Sequence, residues 1–390
     1  MARSNEIKAL GVKMGALWFQ MRDLARRHDI IALSSNYTLY GDMSQRVMTI
    51  LRDFSPDVEV YSIDESFLGL NGLASLWKSS TDLGQAIRQR VRQWTGLPVC
   101  VGIASSKTLA KLANHLAKQR PEYQGVCDLS AMLEHEVSQL LSTIEVGEVW
   151  VVGRNIDARL RDLGITTVEA LRQASPKWLR AHFGVVMERT VNELRGMSCL
   201  ALEEVLPPKQ QIVSSRSFGQ LVLTLDELNE AVSAYTTRAA EKLRHQQSAC
   251  GAVHVFLQTN RFREQDAQYQ PGIIVPLPDP TGDTRLLVAA ALCGLRHIYR
   301  PGYRYKKAGV MPMELLPAGQ LQPTLFDPGA EQAARSGKLM HALDVLNRTF
   351  GRDTVMIASA GIQRQWEMKS KMRSPRYTTR WQELPRALAR

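Results

Sequence analysis

Two adjacent carboxylates, Asp64 and Glu65, stand where two short β-patterned runs meet. Neighbouring strand residues point to opposite faces, so the pair can converge on one ligand only if the chain turns there. Convergent carboxylates suit a hard cation such as Mg²⁺, which neutralises charge on the attacking and leaving oxygens of phosphoryl transfer. An acidic pair in a turn is also a common solvated feature, and the pair alone does not choose between the two. Further along, Lys107, Lys111 and Lys118 fall within about 40° of one another at 100° per residue, with Leu109, Leu112 and Leu116 opposite. Three lysines on one stripe repel one another and want an anionic partner such as phosphates; the alternative is a plain solvated face. Val152–Thr167 has the outline of a helix-hairpin-helix, which grips a nucleic-acid backbone through helix N-termini and free amides without reading sequence. A simple αα-turn would look the same. The eight histidines show no ligand spacing, and no GxSxG, Walker A or GxGxxG element occurs. Serine hydrolase, P-loop ATPase and dinucleotide enzyme are therefore disfavoured.

The elements that must position these residues can be read from periodicity. Asp42–Phe54 is an amphipathic helix with Met43, Val47, Ile50, Leu51 and Phe54 on one face. Val58–Ser62 and Ser66–Leu70 are strands around the tight connection Ile63–Glu65, Asp82–Trp94 is a second helix, Pro98–Ala104 a strand, and Ser106–Lys118 a third helix. The order α-β-β-α-β-α is that of a ferredoxin-like βαββαβ unit without its opening strand. From Leu129 to about Gly196 the pattern is helical, and Pro207-Pro208 marks a linker. Beyond it, Ser214–Phe218, Gly251–Thr259 and Ala308–Met313 read as strands, with helices at Leu225–Arg244 and Asp283–His297. Proline and glycine then break the chain before a last helix near Gly337–Phe350.

A chain of 390 residues predicts two to four domains. With 44% hydrophobic and 22% charged residues it is an ordinary folded composition, neither disordered, collagen-like nor coiled coil. No window approaches the ~20 apolar residues of a membrane span, and MARSNEIKAL has no signal-peptide core, so no membrane partner is expected. Five scattered cysteines without CxxC spacing argue against a disulfide scaffold or structural zinc and fit a reducing cytoplasm. The net charge of +11 points to a polyanionic partner.

These residues resemble the Y-family translesion DNA polymerases, and within them the UmuC group. The resemblance runs through KALGVKMG (Lys8–Gly15), SSNYTLYGDMSQRVM (Ser34–Met48), YSIDESF (Tyr61–Phe67) and VGIASSKTLAKLANHLAK (Val101–Lys118). It continues through FGVVMERTVNELRG (Phe183–Gly196), SRSFG (Ser215–Gly219), YRYKKAGVM (Tyr303–Met311) and SPRYTTRW (Ser374–Trp381), covering nearly the whole chain. It implies an α+β, multidomain right-hand polymerase: partial fingers at 1–34, a ferredoxin-like palm at 35–129 missing its first strand, and a helical thumb at 130–205. A linker at 206–211, an α+β little finger at 212–313 and a C-terminal tail at 314–390 would follow. Asp64 and Glu65 would be catalytic and hold two Mg²⁺ ions, while Lys8 and Lys118 would contact the incoming deoxynucleoside triphosphate. Lys107, Lys111, Gly153, Gly164 and Arg216 would lie against primer-template DNA. Gln322, Leu325 and Phe326 in QPTLF would dock on the sliding clamp, and the tail would meet the UmuD′ dimer and RecA. Within that tail Trp366, Tyr377 and Trp381 are interleaved with basic residues, the composition of an interface.

Two departures qualify the resemblance. Val151 stands in WVVG where the hairpin pattern places a glycine. The family also begins with a strand bearing a metal-binding Asp and then an aromatic residue that excludes ribonucleotides, neither of which precedes KALGVKMG here. Periodicity and resemblance thus agree on an absent opening strand. The expectation is error-prone translesion synthesis in the SOS response by a chain recorded as amino-terminally truncated and impaired as written. The competing expectation is a non-catalytic remnant that still binds DNA and the clamp.

Overall fold

The computed structural model describes residues 2–73, 76–203, 208–320 and 330–387. They form two compact units, Met1–Leu206 with Arg373–Arg390, and Pro207–Met372. The first begins with short helices α1 (Asn5–Ala9) and α2 (Arg22–Arg27) and the long α3 (Tyr37–Arg52). Asn36 caps α3 by accepting from the Leu39 amide, and Met48, Ile50 and Leu51 form its buried stripe. β1 (Val58–Val60) pairs antiparallel with β2 (Ser66–Leu68), Val60 opposite Ser66, so Tyr61–Glu65 is the turn. After α4 (Ser80–Thr95), β3 (Val101–Ile103), α5 (Lys107–Gln119) and β4 (Val126–Asp128) make a βαβ unit whose two strands are parallel. Elements α3 to β3 and α5 come in the predicted order; the three-residue β4 is too short to leave a period in the sequence.

The strands do not make one sheet. β1–β2 and β3–β4 are separate two-stranded ladders, each with unpaired edges among the described residues. Their cores are also separate. α3, α4 and β1 bury Met48, Ile50, Leu51, Val58, Leu83, Ile87 and Val91 together. The apolar face of α5 instead joins the helices that follow: α6 (Glu134–Ser142), α7 (Arg154–Asp162), α8 (Val168–Gln173), α9 (Pro176–Phe183) and α10 (Val185–Leu194). Leu109, Leu112 and Leu116 share one cluster with Leu141, Leu160, Leu171 and Leu194. Each such leucine withdrawn from water contributes about 1.5–3 kcal/mol. α5 lies tight on β3 because residue 102 is glycine: a Cβ there would sit 2.2 Å from the Ala110 carbonyl oxygen and the Asn114 amide.

The second unit is one antiparallel sheet of order β5-β8-β6-β7, built from β5 (Ser214–Val222), β6 (Ser248–Thr259), β7 (Gly272–Thr281) and β8 (Tyr305–Pro317). Helices α11 (Leu225–His245) and α12 (Thr284–Ile298) close its core, in which Leu228, Val253, Val255, Leu287 and Tyr305 are fully buried. β7 is absent from the sequence reading because Pro276, Pro278 and Pro280 interrupt it; it is tolerated since β7 pairs only with β6, at the edge. α13 (Ala330–Thr349) starts earlier than the expected Gly337.

The tail corrects one expectation. Trp366, placed by composition on a docking surface, is 3% exposed in the core of the second unit. Its indole N–H donates to Glu230 at 3.0 Å, and its ring meets Phe218 and Tyr235 edge-on. The chain's own apolar groove takes this aromatic before any partner can. Past it, Arg373 bridges to Ser34, and the Asn36 amide donates to the Ser374 carbonyl at 2.9 Å, all within the first unit. Trp381, by contrast, is 83% exposed. Gln322, Leu325 and Phe326 lie outside the described residues. Among the described residues no helix is long and apolar enough to cross a membrane.

Candidate functional site

The β1–β2 turn supplies the carboxylates. Its closing hydrogen bond runs from the Ser62 amide to the Glu65 carbonyl at 3.0 Å. Ser62 Oγ accepts from the Asp64 amide and donates to the Asp64 carboxylate at 2.8 Å, which holds that side chain outward in water. Glu65 is half-buried and faces α5, where Lys111 Nζ donates to its Oε2 at 3.1 Å.

The lysine stripe of α5 is thus turned toward β1 and β2, and the anions it meets are partly this chain's own. Lys107 pairs with the buried Glu59 and also donates to the Ala201 carbonyl at 2.6 Å; Glu59 further accepts from the Glu203 amide. Lys111 pairs with Glu65, while Lys118, at the far end, is exposed with no ion pair among the described residues. Lys8 is exposed and donates to Asn5 Oδ1 at 3.2 Å, with no ion pair among the described residues. Sequence reasoning anticipated the stripe and its appetite for anions but not Glu59, which sits in a three-residue strand with no charge pattern around it.

Three aromatic rings frame the lysines. Lys111 Nζ lies 4.8 Å from the Tyr61 centroid and 5.0 Å from that of Trp150, and Lys107 Nζ lies 5.2 Å from Phe67. Tyr61 and Trp150 meet edge-on at 5.2 Å, with the Trp150 indole donating to the Tyr61 hydroxyl at 3.2 Å. Ring faces attract an ammonium, by about 0.5–2 kcal/mol each according to exposure. Neither Trp150 nor Tyr61 was singled out from sequence; YSIDESF contains Tyr61, but nothing links it to a tryptophan 89 positions on.

The N-terminus of α5 is held by another residue that sequence reasoning missed. Glu193, fully buried on α10, accepts from the Thr108 amide at 2.9 Å and its hydroxyl at 2.8 Å, and with its other oxygen from the Cys199 and Leu200 amides. A carboxylate at a helix N-terminus is favoured by the helix dipole and by the free amides.

The hairpin forms as expected. Gly153 precedes α7, Gly164 takes φ +80° after it, and α8 follows. Both glycines are exposed with open space above them. Val151 adopts φ +73°, so the position flagged as a missing glycine does require a left-handed backbone, which a β-branched residue adopts only under strain.

In the second unit Arg216 projects from β5 into solvent. Burial, together with the cations Arg238, Arg216, Lys209 and Arg352, holds the Lys242 ammonium below the usual lysine range. Burial, then Arg263 and Lys369, does the same for Lys306. Burial is the larger cause at both lysines, and of the neighbouring cations Arg238 is paired with Glu241 and Arg263 with Asp266. The two buried cysteines are held as thiols: burial pushes Cys127 up to about 11 and Cys250 up to about 12.

Asp64 and Glu65 offer carboxylate oxygens at the water boundary, a donor set that fits Mg²⁺, since that ion binds through one or two carboxylates and takes substrate phosphates and water for the rest. Among the described residues no group of three such side chains occurs.

Comparison with known proteins follows the same outline. A model of the impB/mucB/samB family matches residues 1–115, that of its C-terminal domain residues 209–325, and a domain of unknown function residues 337–387. The chain is 46% identical over 386 residues to Protein ImpB of Salmonella typhimurium, covering 99% of this chain and 90% of that one. Protein UmuC of Salmonella typhimurium strain LT2 matches at the same identity and coverage. Protein MucB of Escherichia coli is 42% identical across 98% of this chain and 90% of its own. A solved Y-family DNA polymerase chimera of Dbh and Dpo4 superposes with a TM-score of 0.60 at 20% identity, over 80% of this chain and 86% of that one, which shows a common fold. With the carboxylate turn, the lysine helix and the hairpin all in their expected elements, the chain belongs to the impB/mucB/samB family, the UmuC-like group of the Y-family DNA polymerases.

Proposed function

We propose that this chain carries out error-prone translesion synthesis in the SOS response, adding deoxynucleotides to a primer on damaged template DNA in the cytoplasm. Asp64 and Glu65 would hold two Mg²⁺ ions, which would supply charge neutralisation for the transferring phosphoryl group. Lys8 and Lys118 contact the triphosphate, and Gly153, Gly164 and Arg216 lie along the duplex. Lys107 and Lys111 support the site from within through Glu59 and Glu65. The UmuD′ dimer and RecA are partners through the tail, and the sliding clamp through Gln322, Leu325 and Phe326. The observation that carries this reading is the turn at Tyr61–Glu65, which sets Asp64 in water and Glu65 against a basic helix.

Primer extension tests it: with no third carboxylate beside Asp64 and Glu65 among the described residues, the purified chain with Mg²⁺, UmuD′ and RecA filaments should extend a primer only weakly, and Asp64→Ala should fall to background while still binding DNA. Binding should be sequence-independent and weaken about 10³-fold or more between 50 and 200 mM salt, as release of condensed counterions demands. A flat salt response would overturn the electrostatic account. Leu325→Ala with Phe326→Ala should abolish clamp capture and leave DNA binding unchanged. The non-catalytic reading is favoured by one observation, the separation of β1–β2 from β3–β4. DNA binding with no extension under any of these conditions is its signature.

A further inference from the structure

The two inner lysines of α5 are held very differently, and the difference assigns them different work. Lys107 is nearly buried, at 10% side-chain exposure, and its ammonium is committed to Glu59 and to the Ala201 carbonyl. Lys111 is 22% exposed, with one carboxylate partner, Glu65, itself 37% exposed, and two ring faces as alternative surroundings for the same charge. An ammonium on a flexible four-carbon stem with three rotatable donors can leave a carboxylate without moving the helix that bears it.

We infer that Lys111 is a positioning residue: the resident counter-cation of Glu65, displaced toward Tyr61 and Trp150 when a divalent cation takes that carboxylate. This rests on the reading of Asp64 and Glu65 as the metal carboxylates. A divalent ion and an ammonium compete for the same Glu65 oxygens, and the doubly charged ion wins once Asp64 contributes as well. The released ammonium keeps the faces of Tyr61 and Trp150 and gains water. Trp150 is bonded to the Tyr61 hydroxyl and runs straight into Val151 and the hairpin, so occupancy of the carboxylates is reported at the start of the segment that grips nucleic-acid backbone. Before metal arrives, Lys111 keeps Glu65 from standing as an unpaired half-buried charge.

The test uses Mn²⁺ as the probe, without DNA or nucleotide: free Mn²⁺ followed by electron paramagnetic resonance, and the emission of Trp150 obtained by difference against Trp150→Phe. Mn²⁺ should change the Trp150 emission of the unaltered chain. Lys111→Met should bind Mn²⁺ about tenfold tighter, since the cation that competes for the Glu65 oxygens is gone, and should lose the metal-dependent part of the emission. Lys111→Arg, which keeps the charge, should return affinity toward that of the unaltered chain. Glu65→Gln should show the metal-saturated emission with no metal added. If Lys111→Met binds Mn²⁺ no tighter, or Glu65→Gln keeps the metal-free emission, Lys111 is not the competitor. If Asp64→Asn with Glu65→Gln leaves Mn²⁺ binding unchanged, the carboxylate assignment itself falls, a separate failure.

Discussion

The strands of the first unit and the four-stranded sheet of the second solve the same problem at very different scale. In the second unit long strands of nine to thirteen residues run in one sheet under two helices, over one continuous apolar core. In the first unit, strands of three residues form two disconnected pairs among the described residues, and an ion pair, Lys107 with Glu59, joins β1 to α5. One region is held by a single apolar core, and in the other a buried ion pair links two separate apolar clusters. The lesson is that chemistry needing carboxylates and lysines close together is placed where packing is thin, and neighbouring elements, above all the α5–α10 cluster, supply the rigidity.

The largest effects should separate the two regions. Lys107→Ala leaves the Glu59 carboxylate buried without its cation and should cost about 3–5 kcal/mol, with hydrogen exchange quickening in β1, β2 and α5 and unchanged in β6 and β8. Trp366→Ala should cost a similar ~3–5 kcal/mol, with the reverse pattern. If both substitutions loosened both regions equally, the contrast between charge and area would be lost.

Glu193→Gln comes next. It keeps the shape but halves the acceptors available to four donors, and a loss of about 1.5–3 kcal/mol is expected, read as faster exchange at Thr108, Cys199 and Leu200. Smaller and opposite in sign is Val151→Gly, which relieves a left-handed backbone and should stabilise by about 1 kcal/mol, measured by urea titration. No gain would mean that the strain is relieved some other way.

The smallest effect is on pH. Burial raises the Asp283 carboxyl, but hydrogen bonds from Arg285 and Ser336 outweigh it and hold the group below the usual carboxylate range. A carboxyl lowered in the folded state stabilises above its unfolded pKa of about 4 and loses that contribution as pH falls below it. Unfolding of the second unit should therefore steepen with acid below about pH 4, and Asp283→Asn should remove that slope while preserving the cap of α12.

Much of this site is legible in the sequence because helices write their faces into it. The α5 stripe and its leucines follow from a 100° period, and the carboxylate turn from two β-runs meeting at Asp64-Glu65. Position 151 was legible too, as a glycine pattern broken by valine, and the backbone there is left-handed. What stays hidden is partnership across distance: Glu59 with Lys107, Glu193 with Thr108, Trp150 with Tyr61. Trp366 misleads for a related reason, since an aromatic in a basic stretch reads the same whether it meets a stranger or its own chain. β7 is hidden by prolines that only an edge strand tolerates.

The position of Trp366 has a consequence for how the molecule is made. A ribosome releases the second unit's sheet when β8 emerges, yet the groove between β5 and α11 is not filled until a residue some 49 positions after β8 has been synthesised. The first unit likewise waits for Ser374 to meet Asn36, which is made 338 residues before it. Both units therefore finish from the carboxyl end at nearly the same moment, and a premature stop near codon 365 would leave each with an open seam. Loss of partner binding in such a shortened chain would report on folding as much as on any docking surface.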